Sequence, residues 1–228
     1  MPQLQKVAGL FDQWASSDRA AQMADGHGHL MQALLADLDS GLTALGTCLD
    51  LGCGPGRFLG LAADFGFQDL CGIDASEQMV ATARQAVPLA DIRVGPFEAL
   101  PWPEQSFDLV ASIEALYYCL QPDLALREVH RVLKPAGRFD LIIDYYAESS
   151  GTESWPEGLG FEITRWASSD WQAALEQVGF QVLRSQRIYH PQASEIGKRW
   201  TPSVWFPTAQ SYARYLKDGA LWITAKSG

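Results

Sequence analysis

"CLDLGCGPGRFLGLA", residues 48–62, runs a short apolar stretch into three glycines at alternate positions, Gly52, Gly54 and Gly56, and then into a helix-like segment. Strand, glycine turn and helix in that order open a βαβ unit. A glycine-rich turn lets a ligand lie against the backbone, because no Cβ blocks the approach and positive φ is allowed. Dinucleotides use such a turn with the spacing G-x-G-x-x-G, the last glycine admitting the helix close to the sheet. Counted from Gly52, that last position is Arg57, and the glycines read G-x-G-x-G instead. The pyrophosphate reading loses its third glycine, and an adenosine ligand without a pyrophosphate remains.

From Gly46 onward, short apolar runs alternate with helix-length amphipathic stretches: CLDL, FLGLAADFG, LCGID, SEQMVATARQA and DIRV. FDLVASI (107–113) follows, then a helix with Leu126, Val129, Val132 and Leu133 on one face, and then GRFDLIID (137–144). Pro135 and Gly137 are expected to stop that helix before the fifth strand. Ser168, Ser169 and Asp170 offer caps for the next helix, WQAALEQVG, which passes into FQVLRSQRIY, and GALWITAK (219–226) reads as the last strand. No amphipathic crossover helix stands out between these last two strands, so one of them is expected to run antiparallel. The predicted fold is α/β: a doubly wound, Rossmann-like sheet with helices on both faces, parallel but for one strand near the C-terminus.

With 228 residues, 47% of them hydrophobic and 19% charged, the chain suits a single domain over 1–228. Within it, residues 1–45 are expected to form an N-terminal helical lid, with a helix from about Gly28 to Leu38. Residues 46–228 form the α/β core, with an insertion at 190–218. The segments 145–167 and 190–218 break the alternation and are rich in aromatics, including Trp200, Trp205, Phe206, Tyr212 and Tyr215. Such segments build sites or pack as lids. A net charge of −10 repels a phosphate backbone, so no nucleic-acid partner is expected. Cys48, Cys53, Cys71 and Cys119 show neither CxxC spacing nor a histidine cluster, so neither a metal nor a disulfide is expected. No signal-peptide pattern and no apolar run of about 18 residues is present, which points to a soluble protein of the cytoplasm and no membrane.

Asp74 closes the second strand in CGID, 18 residues beyond Gly56, where a carboxylate can accept hydrogen bonds from vicinal ribose hydroxyls. Four motifs then stand in order: LDLGCGPG, GID followed by Met79, LPWPEQSFDLV and LREVHRVLKPAGRF. Together they resemble the class I S-adenosylmethionine-dependent methyltransferases over residues 48–144. The resemblance implies S-adenosyl-L-methionine as cofactor and S-adenosyl-L-homocysteine as product. It implies that Asp50, Gly52, Cys53 and Gly54, with Gly56 in the same turn, line the methionine part of the cofactor. Asp74 stands at the ribose position, Ala75 and Met79 flank the adenine, Phe97 and Glu98 read its edge, and Ile113 and Glu114 face the amino group and the acceptor. One departure matters: the aspartate that commonly follows the third strand's glycine is here Pro96, so Glu98 or a backbone carbonyl must take its place. Without the resemblance, Asp50 would serve to cap the turn, Asp74 would be a strand-end carboxylate and Met79 helix core. His130 reads as a surface or packing residue, and Cys53 has no base partner that would make it a nucleophile.

A sulfonium is already an activated methyl donor, so the protein's task is alignment and exclusion of water. An acceptor that must lose a proton would draw on the strand ends and lids, where His27, His29, Glu114, Tyr117, Tyr118, Asp144, Tyr145 and Tyr146 qualify and none is singled out. Trp14, Tyr117, Tyr118 and Tyr145 are the expected walls of an acceptor pocket, since aromatic rings suit a small, flat or apolar molecule. The expected function is in-line methyl transfer to a small-molecule acceptor. Alternatives are a cofactor-binding regulatory or interaction protein without methyl transfer, and a methyltransferase acting on RNA or protein. A nicotinamide dehydrogenase suffers from the missing glycine at 57.

Overall fold

The computed structural model describes residues 2–17, 26–39, 46–191 and 200–228. The expected lid and insertion fall partly outside these ranges, at 18–25, 40–45 and 192–199. Helices α1 (Pro2–Ala15) and α2 (Gly28–Asp39) precede strand β1 (Thr47–Leu51). Then come α3 (Arg57–Phe65), β2 (Asp69–Asp74), α4 (Glu77–Ala86), β3 (Asp91–Val94) and β4 (Phe107–Ile113). A 3₁₀ turn (Leu116–Tyr118), α5 (Pro122–Val132), β5 (Leu133–Ile143), α6 (Trp155–Leu159) and α7 (Ser168–Val178) follow. The chain closes with β6 (Phe180–Ile188), α8 (Ala209–Asp218) and β7 (Ala220–Ser227).

Seven strands among the described residues form one sheet in the order β3-β2-β1-β4-β5-β7-β6. Pairs β2/β3, β1/β2, β1/β4 and β4/β5 are parallel, while β7 runs antiparallel to both β5 and β6. Successive side chains point to opposite faces of a strand, and both faces here are apolar. Leu49, Val110, Leu141 and Ile223 sink into the layer of α5 and α7, whereas Cys48, Leu109, Ile142 and Trp222 sink into that of α2, α3 and α4. Between β1 and β4 the strand order reverses, which opens a crevice at the carboxyl edge of the sheet.

Two sequence expectations change at element boundaries. Helix α5 ends at Val132, and Leu133 already pairs with Phe107, so Pro135 and Gly137 lie inside β5. They form a bulge: pairing resumes only at Leu109 with Arg138, and Ala136 takes a positive φ of 65°. Helix α7 starts at Ser168 with Ala167 as its cap residue, and the carboxylate of Asp170 accepts the Ala167 N–H from inside the first turn. A helix, α8, does separate β6 from β7, capped by the Thr208 hydroxyl, which accepts the Ser211 N–H. As expected of a packing residue, His130 sits edge-on against Phe180 with its ring over Gly179.

Candidate functional site

The turn after β1 explains its own glycines. Gly52, Gly54 and Gly56 have φ of 89°, 48° and 87°, a region where a side chain is strained. The N–H groups of Gly52 and Cys53 both donate to the Ile73 carbonyl, at 2.8 and 3.0 Å, and Gly56 N–H donates to the Cys53 carbonyl at 2.9 Å. A Cβ on Gly52 would lie 2.2 Å from that of Ala115, whereas one on Gly54 would meet nothing within 4 Å. The open side of Gly54 faces a cavity.

That cavity, about 390 Å³, lies at the carboxyl edge of the sheet where the strand order reverses. Gly52, Cys53, Gly54, Asp74, Ala75 and Met79 line it, with Phe97, Glu98, Ile113 and Glu114. Its aromatic lining is Trp14, Tyr117 and Tyr118, joined by Trp155, Trp205, Phe206 and Tyr215. Thirteen of the sixteen residues expected at the site therefore meet on one surface. Asp50, Gly56 and Tyr145 do not reach it. Asp50 is buried within β1, Gly56 serves as the left-handed cap of α3, and Tyr145 stands behind the wall, stacked on Trp155 with ring centroids 5.7 Å apart.

Asp74 has two tasks visible in its geometry. Its Oδ2 accepts the Gly54 N–H at 3.0 Å and its Oδ1 accepts the Ser76 N–H at 2.9 Å, so one carboxylate braces the glycine turn and the entry to α4. Burial raises its pKa and these backbone donors pull it back. Helix α1 is fixed over the same corner: Asp12 accepts the Ser76 hydroxyl at 2.5 Å and the Gln78 N–H at 3.1 Å. From there α1 lends the cavity Leu4, Val7, Phe11 and Trp14. Trp14 packs edge-on against Phe11 and Trp205, and Met79 is buried beside it. Pro96 lies on the wall where the sequence departs from the family, and next to it Glu98 Oε1 accepts the Cys119 thiol at 3.2 Å.

Deeper in, two carboxyls stand at adjacent strand ends. Glu114 follows β4 with a positive φ of 57°, rare for a residue with a side chain. Its Oε2 accepts the Tyr117 hydroxyl at 3.1 Å, while its Oε1 is buried without a partner. Asp144, which follows β5, accepts the Tyr215 hydroxyl. His27, one residue before α2, brings Nε2 to 4.0 Å from Asp144 Oδ2. Burial, then the neighbouring Asp144, holds Glu114 well above the ordinary carboxylate range, and burial pushes Asp144 up to about 6. Burial, then His190, pushes His27 down to about 4. Burial likewise raises the Cys53 thiol, which packs on Gly72.

The far aromatic wall was the part that sequence reasoning did not assign. Trp155 opens the short helix α6, Tyr215 lies on the amphipathic helix α8, and Trp205 and Phe206 lie in the loop before it; their signal in the sequence is aromatic density outside the βαβ alternation.

Asp50 carries a pH-dependent cost. Burial, then Asp74, raises its carboxyl from the ordinary 3.8 to about 8. Between those values the unfolded chain is ionised and the folded one is not, so this residue's contribution falls as pH rises from 4 to 8. Asp50→Asn removes that slope. In thermal unfolding followed by circular dichroism, the variant should gain on the parent steadily from pH 4.5 to pH 8; a gap independent of pH would refute the assignment.

A family model described as "Methyltransferase domain" matches residues 49–141. An uncharacterised methyltransferase of Bacillus subtilis, YcgJ, is 30% identical over 168 residues, covering 68% of this chain and 66% of the relative. A malonyl-[acyl-carrier protein] O-methyltransferase of Methylococcus capsulatus is 38% identical over 127 residues, 52% of this chain and 46% of the relative. The chain thus spans between about half and two thirds of these curated relatives. Among solved structures, the methyltransferase in a complex with the Haloferax volcanii Trm112 methyltransferase activator is 31% identical with a TM-score of 0.83, over 95% of this chain and 97% of that one. A parallel sheet with a reversed last strand, a turn of alternate left-handed glycines at its switch point and relatives of this extent agree: the chain belongs to the class I S-adenosylmethionine-dependent methyltransferases.

Proposed function

We propose that the chain transfers a methyl group from S-adenosylmethionine to a small, largely apolar acceptor. The observation that carries this reading is the continuity of one cavity from the glycine turn and Asp74 to the aromatic chamber under α1. Donor and acceptor would share a single space closed by packed rings, as alignment and exclusion of water require.

The residues around the glycine turn fit the cofactor. Gly54 presents bare backbone to the cavity, Asp74 places a carboxylate beside it for the ribose hydroxyls, and Ala75, Met79 and Phe97 offer apolar surfaces for a purine. Bound there, S-adenosylmethionine supplies an electrophilic methyl on a sulfonium. Tyr117, Tyr118, Trp155 and Trp205 would then shape the acceptor's position and keep water away from the line of attack. The 3₁₀ turn that carries the two tyrosines is tied to the loop before α7: Thr164 donates its N–H to the Tyr117 carbonyl at 2.8 Å and its hydroxyl to the Cys119 carbonyl at 2.6 Å. The lid role expected of residues 1–45 belongs in this reading to α1. Helix α2 is packed into the core through Leu30, Leu34 and Leu38.

The test is a transfer assay with S-adenosylmethionine labelled in its methyl group and a cell extract split by ultrafiltration. Label should pass into a product of the low-mass fraction. Label found only in retained protein or RNA, or no transfer by a protein that binds the cofactor, would overturn the small-molecule reading.

A further inference from the structure

We propose that His27, Glu114 and Asp144 form a binding site for one divalent metal cation in the inner part of the cavity. The three residues are far apart in sequence, which is why no ligand spacing announces them. The fold delivers them from the N-terminal end of α2 and from the carboxyl ends of β4 and β5, which are neighbours in the sheet. One ligand atom from each lies within 4.8 Å of the other two. Adjacent ligands of a six-coordinate cation with bonds near 2.1 Å stand about 3 Å apart, so small torsional adjustments would close the three onto an ion.

Glu114 supplies an independent pointer to a ligand. It is 9% exposed, Tyr117 satisfies one of its oxygens, and the other, Oε1, is buried without a hydrogen-bond partner, in a residue of the cavity wall. A buried polar oxygen left unmade costs on the order of 1–3 kcal/mol, and native structures keep such atoms where something binds. The chain also accepts a strained backbone at that residue to hold the carboxyl there. Asp144 is oriented by the Tyr215 hydroxyl, the kind of supporting hydrogen bond that ligating carboxylates commonly receive.

One imidazole nitrogen and two carboxylates, with no thiolate in the set, suit a hard to borderline ion such as Mn²⁺ or Zn²⁺. His27 and Glu114 both lie on the cavity wall, so further coordination positions would open toward the chamber. Under the proposed methyl transfer, such an ion would favour an acceptor presenting oxygen or nitrogen atoms to it. That last step rests on the proposed function; the metal site does not.

The test uses the full chain, freed of metal by chelation and desalted, and titrated with Mn²⁺ under electron paramagnetic resonance. One Mn²⁺ per chain should leave the free-ion spectrum, with a dissociation constant below about 100 µM. His27→Ala and Asp144→Asn should each weaken that binding by about tenfold or more, and Mn²⁺ should raise the Tm of the parent but not of the double variant. Binding of S-adenosylhomocysteine by both variants, within about twofold of the parent, confirms that they are folded. No stoichiometric uptake of Mn²⁺, or uptake undiminished in the variants, as surface carboxylates of an acidic chain would give, overturns the site. Failure of the parent to bind S-adenosylhomocysteine would count against the proposed function and leave the metal result standing.

Discussion

Asp74→Ala is expected to lower the affinity for S-adenosylhomocysteine by about a hundred- to a thousandfold in isothermal titration, with the fold intact. The carboxylate sits on the cavity wall and would accept hydrogen bonds from the two ribose hydroxyls; hydrogen bonds to a charged group contribute about 1.5–3 kcal/mol each. Losing two at the lower end removes about 3 kcal/mol, or roughly two orders of magnitude in affinity. The same side chain braces the turn through Gly54 N–H and the start of α4 through Ser76 N–H, so the alanine variant also frees the backbone that the cofactor would lie against. Stability should fall by about 1–3 kcal/mol, because the Gly54 and Ser76 N–H groups lose their acceptor while the burial cost of the carboxyl is relieved in part. Asp74→Asn, which keeps one acceptor oxygen, should lose less. An alanine variant that still binds within about threefold of the parent would remove the sugar from this corner and with it the orientation of the cofactor.

The parts legible in the sequence are those where one local rule decides. Each glycine of the turn takes a left-handed φ, so their alternation in the sequence is a direct image of the backbone. The parallel part of the sheet follows from strands that alternate with helices from β1 to β3 and from β4 to β5, whereas a helix, α8, also precedes the reversed β7, so its presence alone does not decide the strand's direction. Legibility ends where position depends on what lies across space. Tyr145 follows Asp144 directly, and two consecutive residues at a strand end point to opposite sides. Asp144 meets Tyr215 and stands beside Glu114, whereas Tyr145 stacks behind the wall on Trp155. Asp50 sits in the motif that resembles the family's cofactor turn, yet its place on β1, paired with Gly72 and Ala111 of the neighbouring strands, buries its carboxyl. Pro135 and Gly137 carry the signature of a helix end and serve instead a bulge inside a strand, because Leu133 has already joined the ladder with Phe107. The trio at residues 27, 114 and 144 has no spacing at all; only the closure of the sheet edge creates it.

The largest loss of stability should come from a residue remote from the cavity. Asp140 interrupts the apolar run of β5 and is fully buried, opposite Thr224 of β7. It accepts Arg138 Nε at 2.6 Å and Nη2 at 3.0 Å, Trp222 Nε1 at 2.8 Å and the Thr224 hydroxyl at 2.8 Å. Arg138 continues to Asp37 of α2 at 2.7 Å, and Asp37 also receives Arg184 of β6 at 2.7 Å, whose guanidinium lies 4.5 Å from the Trp222 ring centroid. Asp140→Ala would leave a mostly buried guanidinium with half its acceptors and strand the indole and hydroxyl donors. Breaking one side of a buried ion pair costs about 3–5 kcal/mol, which for a domain of this size lowers Tm by roughly 6–20 °C. Asp140→Asn, with one acceptor oxygen left, should fall between the parent and the alanine variant. Because the burden lies in the unpaired Arg138, a double change to Asp140→Leu and Arg138→Met should recover much of the loss. A fall of under about 1 kcal/mol in urea unfolding of the alanine variant would mean that the network is relaxed by water and contributes little. The same network anchors α2 to three strands, and His27 is held just before that helix. Loosening Asp140 should therefore reach the inner end of the cavity through Asp37, while the glycine turn, braced by Asp74 on the other side of the sheet's switch point, keeps its shape.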